Sequence, residues 1–88
     1  MMKYTLTNRK KSIFARNNSD FVTWMRKSDL QHWSSNKEFI DGYSRRKSLF
    51  EKIFLSSESE DSFVSDLIKN KLLEISKPKA NFLSVLKF

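Results

Sequence analysis

The stretch SNKEFIDGYSRRKSLFEKIFL, residues 35–55, is the longest segment of the chain with a clear apolar period. Its apolar side chains recur at spacings of three, four and seven residues, which places them on one side of a helix. They are Phe39, Ile40, Tyr43, Phe50, Ile53 and Phe54. Ser35 and Glu38 have the spacing of a capping box at the start of a helix. The stretch predicts a central amphipathic helix whose aromatic stripe forms the core of the domain.

Two further helices are predicted, one before and one after this central helix. Residues 20–28 carry apolar side chains on one face and follow Ser19, a residue type that favours the N-cap position. Residues 62–75 carry a longer apolar stripe. Either Ser59 or Asp61, in the polar stretch before that stripe, suits its N-cap.

The two ends of the chain leave more than one interpretation open. Residues 1–18 are either two short strands that lie on the helices or a flexible basic arm, because an isolated two-stranded ribbon is marginal in water. Residues 80–88 are apolar on both faces and are either a strand that pairs with the N-terminal segment or a short helix.

The expected fold class is mostly α: a small single domain, residues 1–88, of three to four short helices. One Gly and one Pro among 88 residues disfavour a turn-rich β fold. A short β segment is allowed at the N-terminus, in the C-terminal tail or in both. The domain then consists of a basic arm or ribbon (1–18), a helical core (19–76) and an apolar tail (77–88).

Several kinds of site are excluded or disfavoured by the composition. The chain has no Cys, which excludes disulfides, thiolate metal ligands and a Cys nucleophile. Its single His, His32, has no second His or Cys with which to share a metal, and its single Gly, Gly42, excludes a Gly-rich phosphate loop. No apolar run approaches the roughly 20 residues that span a bilayer. We expect a non-enzymatic cytoplasmic protein without cofactor or metal.

Positive charge is the strongest global feature of the sequence. The formal net charge is +7, from 17 Lys and Arg against 10 Asp and Glu. Residues 1–33 and 77–88 carry net charges of +5 and +3, whereas residues 58–76 carry −3. This uneven distribution favours an anionic partner, and nucleic acid is the first candidate.

Eight basic residues in three clusters are the candidate nucleic-acid-binding residues. They are Arg9, Lys10, Lys11, Arg16, Arg26, Lys27, Arg45 and Arg46. Such residues contact phosphates, so they set affinity and salt dependence rather than sequence preference. The alternative is a solvated face that pairs within itself, since Asp41 lies four residues before Arg45. Four ring side chains near these clusters suit either stacking on single-stranded bases or packing in the core. They are Trp24, His32, Trp33 and Tyr43.

Two functional hypotheses follow. The first is a non-catalytic accessory protein that binds nucleic acid through the basic residues. The second is a protein-interaction module, such as an adaptor, an inhibitor or a homodimer, that uses apolar surface. Its motivation is the abundance of Phe and an apolar tail in which Leu83, Val85 and Phe88 exceed what one small core buries.

Overall fold

Three helices and a three-stranded antiparallel sheet make up the fold in the computed structural model, which describes residues 1–77. The elements in chain order are β1 (Met2–Leu6), β2 (Lys11–Ala15), α1 (Asn18–Ser28), α2 (Asn36–Glu51), α3 (Glu60–Lys69) and β3 (Leu73–Ser76). The fold is therefore mixed α/β, and the prediction of a mostly α, all-helical core is wrong. The predictions for residues 80–88 and for the apolar patch of the tail lie outside the described residues.

The sheet has the order β2-β1-β3, with β1 in the centre and the helices against one face. β1 and β2 form a hairpin, so the ribbon interpretation of residues 1–18 is correct and the flexible arm is not. Side chains alternate between the faces, as expected for an antiparallel sheet covered on one side. Tyr4 and Leu6 are buried, whereas Thr5 points to the other face and its hydroxyl lies 2.9 Å from that of Ser12.

The segment predicted as the last turn and a half of α3 is a turn followed by β3. α3 ends at Lys69, and Lys71 adopts the left-handed conformation with φ of 62°. The N–H of Leu72 donates to the carbonyl of Leu67 (2.9 Å), and that of Lys71 to Ile68 (2.9 Å), which is a Schellman motif. The chain then reverses, and β3 pairs with β1 along its full length. The apolar residues of this segment fit both the helical period and the alternation of a strand, so the apolar pattern alone did not distinguish a longer helix from β3.

α2 is also shorter than predicted, because it ends at Glu51 and Lys52 follows in the left-handed conformation. The apolar stripe is buried at its beginning, where Tyr43 packs edge-on against Phe63 of α3 with ring centroids 5.6 Å apart. Phe50 and Phe54 are instead 81% and 73% exposed, so their assignment to the core is wrong. The aromatic stripe thus extends beyond the part of α2 that other elements cover.

The starts of the helices follow the capping rules, with two corrections. The Ser35 hydroxyl accepts from the N–H of Glu38 (3.1 Å), as predicted for α2, but the Glu38 carboxylate accepts from the N–H of Ser34 (3.0 Å) instead of that of Ser35, so the capping box is only half formed. Ser59 caps α3, one of the two candidates given by the sequence. The N-cap of α1 is Asn17 rather than Ser19, and its side-chain oxygen accepts from the N–H of Asp20 (2.8 Å).

The connection between α1 and α2 is held by Trp33, whose indole ring lies on Gly42 in the middle of α2. The indole N–H donates to Asp29 (2.6 Å), and the ring packs edge-on against Phe39. A Cβ added to Gly42 would lie 2.8 Å from Cζ3 and 2.9 Å from Cζ2 of the indole. Gly42 is required for this close approach. Leu30 in the same connection is fully exposed.

Candidate anion-binding site

A cleft of about 240 Å³ opens between the β1–β2 turn and the C-terminal half of α2. Its lining side chains are Arg9, Tyr43, Arg46, Lys47, Phe50 and Glu51. Five of these come from α2 and recur at spacings that share one face of a helix. The sixth, Arg9, comes from the hairpin turn, where its N–H donates to the carbonyl of Leu6 (3.3 Å). The fold therefore brings three cations from two distant parts of the sequence to one cleft, and we call this site the cationic cleft.

Tyr43 forms the aromatic wall of the cationic cleft. The Arg46 guanidinium carbon lies 5.8 Å from the centre of its ring, and the Lys47 Nζ lies 5.6 Å from it. Burial raises the pKa of the Tyr43 hydroxyl above its ordinary value of 10.0, although Lys47, Arg9 and Arg46 oppose the rise. The hydroxyl therefore keeps its proton at neutral pH and remains a hydrogen-bond donor.

Two of the three cations are already held by carboxylates. Lys47 Nζ lies 2.8 Å from Glu51 Oε2, and Arg46 Nη2 lies 3.3 Å from Asp29 Oδ2. Arg9 forms no salt bridge with any residue of the range 1–77. The cleft thus offers one cation with no ion-pair partner among these residues and two whose pairing an incoming anion must share or replace.

Asp29 links the cationic cleft to the α1–α2 connection, since its carboxylate accepts from both the Trp33 indole and Arg46. Burial by itself would raise the pKa of Asp29. The Trp33 hydrogen bond, the Arg46 charge and the backbone N–H groups of Leu30 and Gln31 outweigh burial and hold this pKa below its ordinary value of 3.8. The carboxylate is consequently ionised at neutral pH and fixes the position of Arg46.

The donor set of the cleft suits an oxyanion. A guanidinium presents a planar fork of N–H donors that matches phosphate or carboxylate oxygens, and an ammonium adds a compact charge. The phenol of Tyr43 adds a neutral donor. Glu51 is the one carboxylate that lines the cleft. The arrangement suits the binding of negative charge. Among the side chains that line the cleft, Lys47 and Glu51 are the pair within hydrogen-bonding distance of each other.

Of the eight basic residues singled out in the sequence, Arg9 and Arg46 meet in the cationic cleft. Lys10 lies in the adjacent turn and is exposed. Lys11 begins β2 and places its ammonium 5.7 Å from the centre of the Trp24 ring. Arg16 follows β2, and its Nε donates to the Asp20 carboxylate at 2.9 Å. Lys10 and Lys11 extend the positive surface beside Arg9 along the hairpin.

Arg26 is occupied inside the fold. Its Nε donates to Asn36 Oδ1 (2.8 Å), and its Nη1 donates to the carbonyl of Trp33 (3.1 Å). Asn36 in turn donates to Thr23 of α1 (2.8 Å) and Glu60 of α3 (2.7 Å). Arg26 therefore stabilises the junction of the three helices, and its guanidinium is half-buried rather than presented to a ligand.

Lys27 and Arg45 are exposed and lie outside the cationic cleft. The ion pair expected between Asp41 and Arg45 does not form, because Asp41 pairs with Lys37 (3.7 Å) one turn earlier in α2. Arg45 has no ion pair with the residues that the structure describes. The positive charge of the central helix is therefore more available than the sequence suggested.

Three further residues of the cleft were not among the predicted site residues: Lys47, Phe50 and Glu51. Their spacing from Tyr43 contains the signal, since positions four, seven and eight along a helix lie on one face. Tyr43 itself is buried, which confirms its expected packing in the core. Among the other ring side chains proposed for stacking, Trp24 and Trp33 are half-buried and His32 is exposed.

Comparison with models of known protein families, with curated proteins and with solved structures finds no match to this chain. None of the helices within residues 1–77 combines the length and the apolar character needed to cross a bilayer. In that same range, no three His, Asp or Glu side chains come together in an arrangement that could hold a metal ion.

Proposed function

We propose that the protein is a small, non-catalytic, cytoplasmic accessory protein that binds nucleic acid through phosphate contacts. One observation carries this proposal: Arg9, Arg46 and Lys47 line a single cleft together with the ring of Tyr43. A phosphate in the cationic cleft would accept from the guanidinium forks and from the phenol. Lys10 and Lys11 on the neighbouring hairpin would contact further phosphates along a strand.

The net charge of +7 supports this assignment because it adds long-range attraction to the local site. Neutralising phosphates releases condensed counterions, so affinity falls linearly with the logarithm of the salt concentration. The slope is about −0.7 per phosphate contact for a single strand. Removing one contact therefore makes the slope shallower by about 0.7 and weakens binding roughly 5-fold near 0.1 M salt.

The test is fluorescence anisotropy of a labelled oligonucleotide, titrated with protein between about 50 and 200 mM salt. Arg9→Gln is the principal variant, because Arg9 lines the cleft and has no salt bridge within residues 1–77 whose loss would disturb the fold. We expect weaker binding and a shallower salt slope. Absence of binding, or binding independent of salt, would contradict the proposal.

Lys37→Gln is the matched control. Like Arg9→Gln it removes one positive charge, but from the start of α2, where Lys37 is exposed and pairs with Asp41. It precedes Arg46 by nine residues, which is two and a half helical turns, so the two side chains point to opposite sides of α2. If Arg9→Gln and Lys37→Gln weaken binding equally, overall charge rather than the cationic cleft governs the affinity.

A protein-interaction module is the second candidate, and a specific observation favours it. Leu49, Phe50 and Phe54 are 68%, 81% and 73% exposed at the end of α2 and just after it. Such surface is available to a protein partner or a second copy of the chain. Light scattering after size exclusion distinguishes the candidates: a salt-independent dimer free of nucleic acid favours this one, and nucleic acid that co-elutes only at low salt favours the first.

A further inference from the structure

Phe50 is the apolar member of the cationic cleft, and its exposure requires an explanation that phosphate binding alone does not give. It lines the same cleft as Arg9, Arg46 and Lys47, yet 81% of its surface faces solvent. It follows Lys47 by three residues and Arg46 by four, positions whose Cβ atoms lie about 5–6 Å apart on a helix. A flat apolar face therefore stands within one side-chain length of two cationic groups, Arg46 and Lys47.

A nucleotide presents these two chemistries at the same spacing. Its phosphate seeks cations and N–H or O–H donors, and its base offers a flat π-face that stacks on aromatic side chains. In a duplex the faces of each base are covered by the neighbouring base pairs, so only an unpaired base is free to stack without disrupting the helix.

We infer that Phe50 stacks on an unpaired base whose adjacent phosphate lies in the cationic cleft, so that the ligand is single-stranded nucleic acid. This inference rests on the proposed function and names its ligand class. The exposed ring would be covered in the complex, and the buried Tyr43 ring would remain in the core. Sequence preference would be weak, because every base has a π-face and the cleft presents few groups to read base edges.

Two ligands separate the base from the phosphate. One is a labelled oligothymidylate, and the other is an abasic strand of the same length, which keeps the phosphates and lacks the bases. Phe50→Ala should weaken binding of the oligothymidylate about 5-fold or more and leave the abasic strand unaffected. Phe50→Trp should restore the loss, because it restores a ring. Arg9→Gln should weaken binding of both strands.

Phe14→Ala is the matched control. Phe14 is 56% exposed and lies in β2 on the face of the sheet opposite the helices. The substitution therefore removes an exposed ring that does not line the cationic cleft. Circular dichroism of each variant verifies the fold. Because the substituted rings are exposed, we do not expect their removal to disturb folding. We expect Phe14→Ala to bind both strands like the unmodified protein.

The outcomes that overturn the inference differ from those that overturn the proposed function. If Phe50→Ala binds oligothymidylate normally while Arg9→Gln weakens both strands, stacking is refuted and phosphate binding stands. If neither strand binds but vesicles of phosphatidylcholine with phosphatidylserine do, the exposed ring and the cations serve a lipid surface, and both proposals fail. If a duplex binds as tightly as the single strand, the inferred ligand class is wrong.

Discussion

Replacing Gly42 with Ala tests the packing of Trp33 on α2, and through it the geometry beside the cationic cleft. The local preference of the helix favours Ala by about 1 kcal/mol. Against this, the added methyl would lie 2.8 Å from Cζ3 and 2.9 Å from Cζ2 of the indole, well inside normal contact. Overpacking of this kind costs about 1–3 kcal/mol.

The indole has little freedom to move away from a methyl at residue 42. Its N–H donates to Asp29 (2.6 Å), and the Trp33 carbonyl accepts from Arg26 (3.1 Å). Breaking the bond to the charged carboxylate would cost about 1.5–3 kcal/mol more. We therefore expect Gly42→Ala to destabilise the protein by a net amount of about 1.5–5 kcal/mol, which is the sum of these three contributions. The corresponding fall in Tm for a domain of this size is about 4 °C or more.

Urea denaturation followed by circular dichroism measures this change, and a double-mutant cycle assigns it to the contact. Trp33→Leu removes the ring atoms that Ala at position 42 would meet. In that background Gly42→Ala should become neutral or stabilising, so the two changes should couple by about 1.5 kcal/mol or more. If Gly42→Ala stabilises the protein that retains Trp33, the indole does not lie on Gly42 and the reasoning fails.

Four further substitutions test the Lys47–Glu51 ion pair, the left-handed turn after α3, the hydrogen bonds of Arg26 and the lowered pKa of Asp29. Glu51→Gln should tighten oligonucleotide binding about 2- to 5-fold in anisotropy, because it removes the carboxylate that competes for Lys47; weaker binding would mean that the pair positions the lysine instead. Lys71→Gly should stabilise the protein by about 0.5–1 kcal/mol in urea denaturation, since it relieves a left-handed backbone at the end of α3; an unchanged or lower stability would contradict this. Arg26→Lys keeps the charge but loses the fork, and should cost about 1–2 kcal/mol of stability without changing the salt slope of binding; a changed slope would place this residue at the ligand. Asp29 has a pKa lowered from 3.8, so its ionised form stabilises the fold above about pH 4 and this contribution is lost as the pH falls through the lower value; Asp29→Asn should therefore be less stable at neutral pH, with the difference shrinking in acid.

Local chemistry accounts for the parts of the fold that the sequence predicted. Ser35 and Ser59 cap α2 and α3 because short hydroxyl side chains satisfy free N–H groups of the first turn, whatever surrounds them. The alternation of Tyr4 and Leu6 likewise anticipated a strand. The end of α3 was missed because the turn at Lys71 uses a left-handed lysine where glycine is the usual signal. Without a glycine to mark the end of the helix, the apolar residues Leu72 and Leu73 fitted the helical period and were predicted to belong to the helix.

The cationic cleft was predictable only in part. Arg9 and Arg46 were identified as cations, but their encounter depends on where the hairpin turn lies relative to α2, which no local pattern encodes. Lys47 and Phe50 share the helix face of Tyr43, so their grouping could have been found from the helical period. Phe50 was assigned to the core because every apolar residue of the stripe was expected to be buried, so its place in the cleft was not predicted. Phe50 lies near the end of α2, beyond the elements that cover the start of this helix. Its exposure therefore depends on how distant parts of the chain pack, which the local sequence does not show.

The central place of β1 in the sheet has a consequence during synthesis on the ribosome. Leu6 pairs with Leu73, which emerges about 67 residues later. At about 5–20 residues per second, that interval lasts roughly 3–13 s. The hairpin partner β2 is made soon after β1, but the other side of β1 has unpaired N–H and C=O groups until β3 is made. For those seconds the strand that becomes the middle of the finished sheet is an open edge on the nascent chain, where another strand can pair with it unless the helices cover it first.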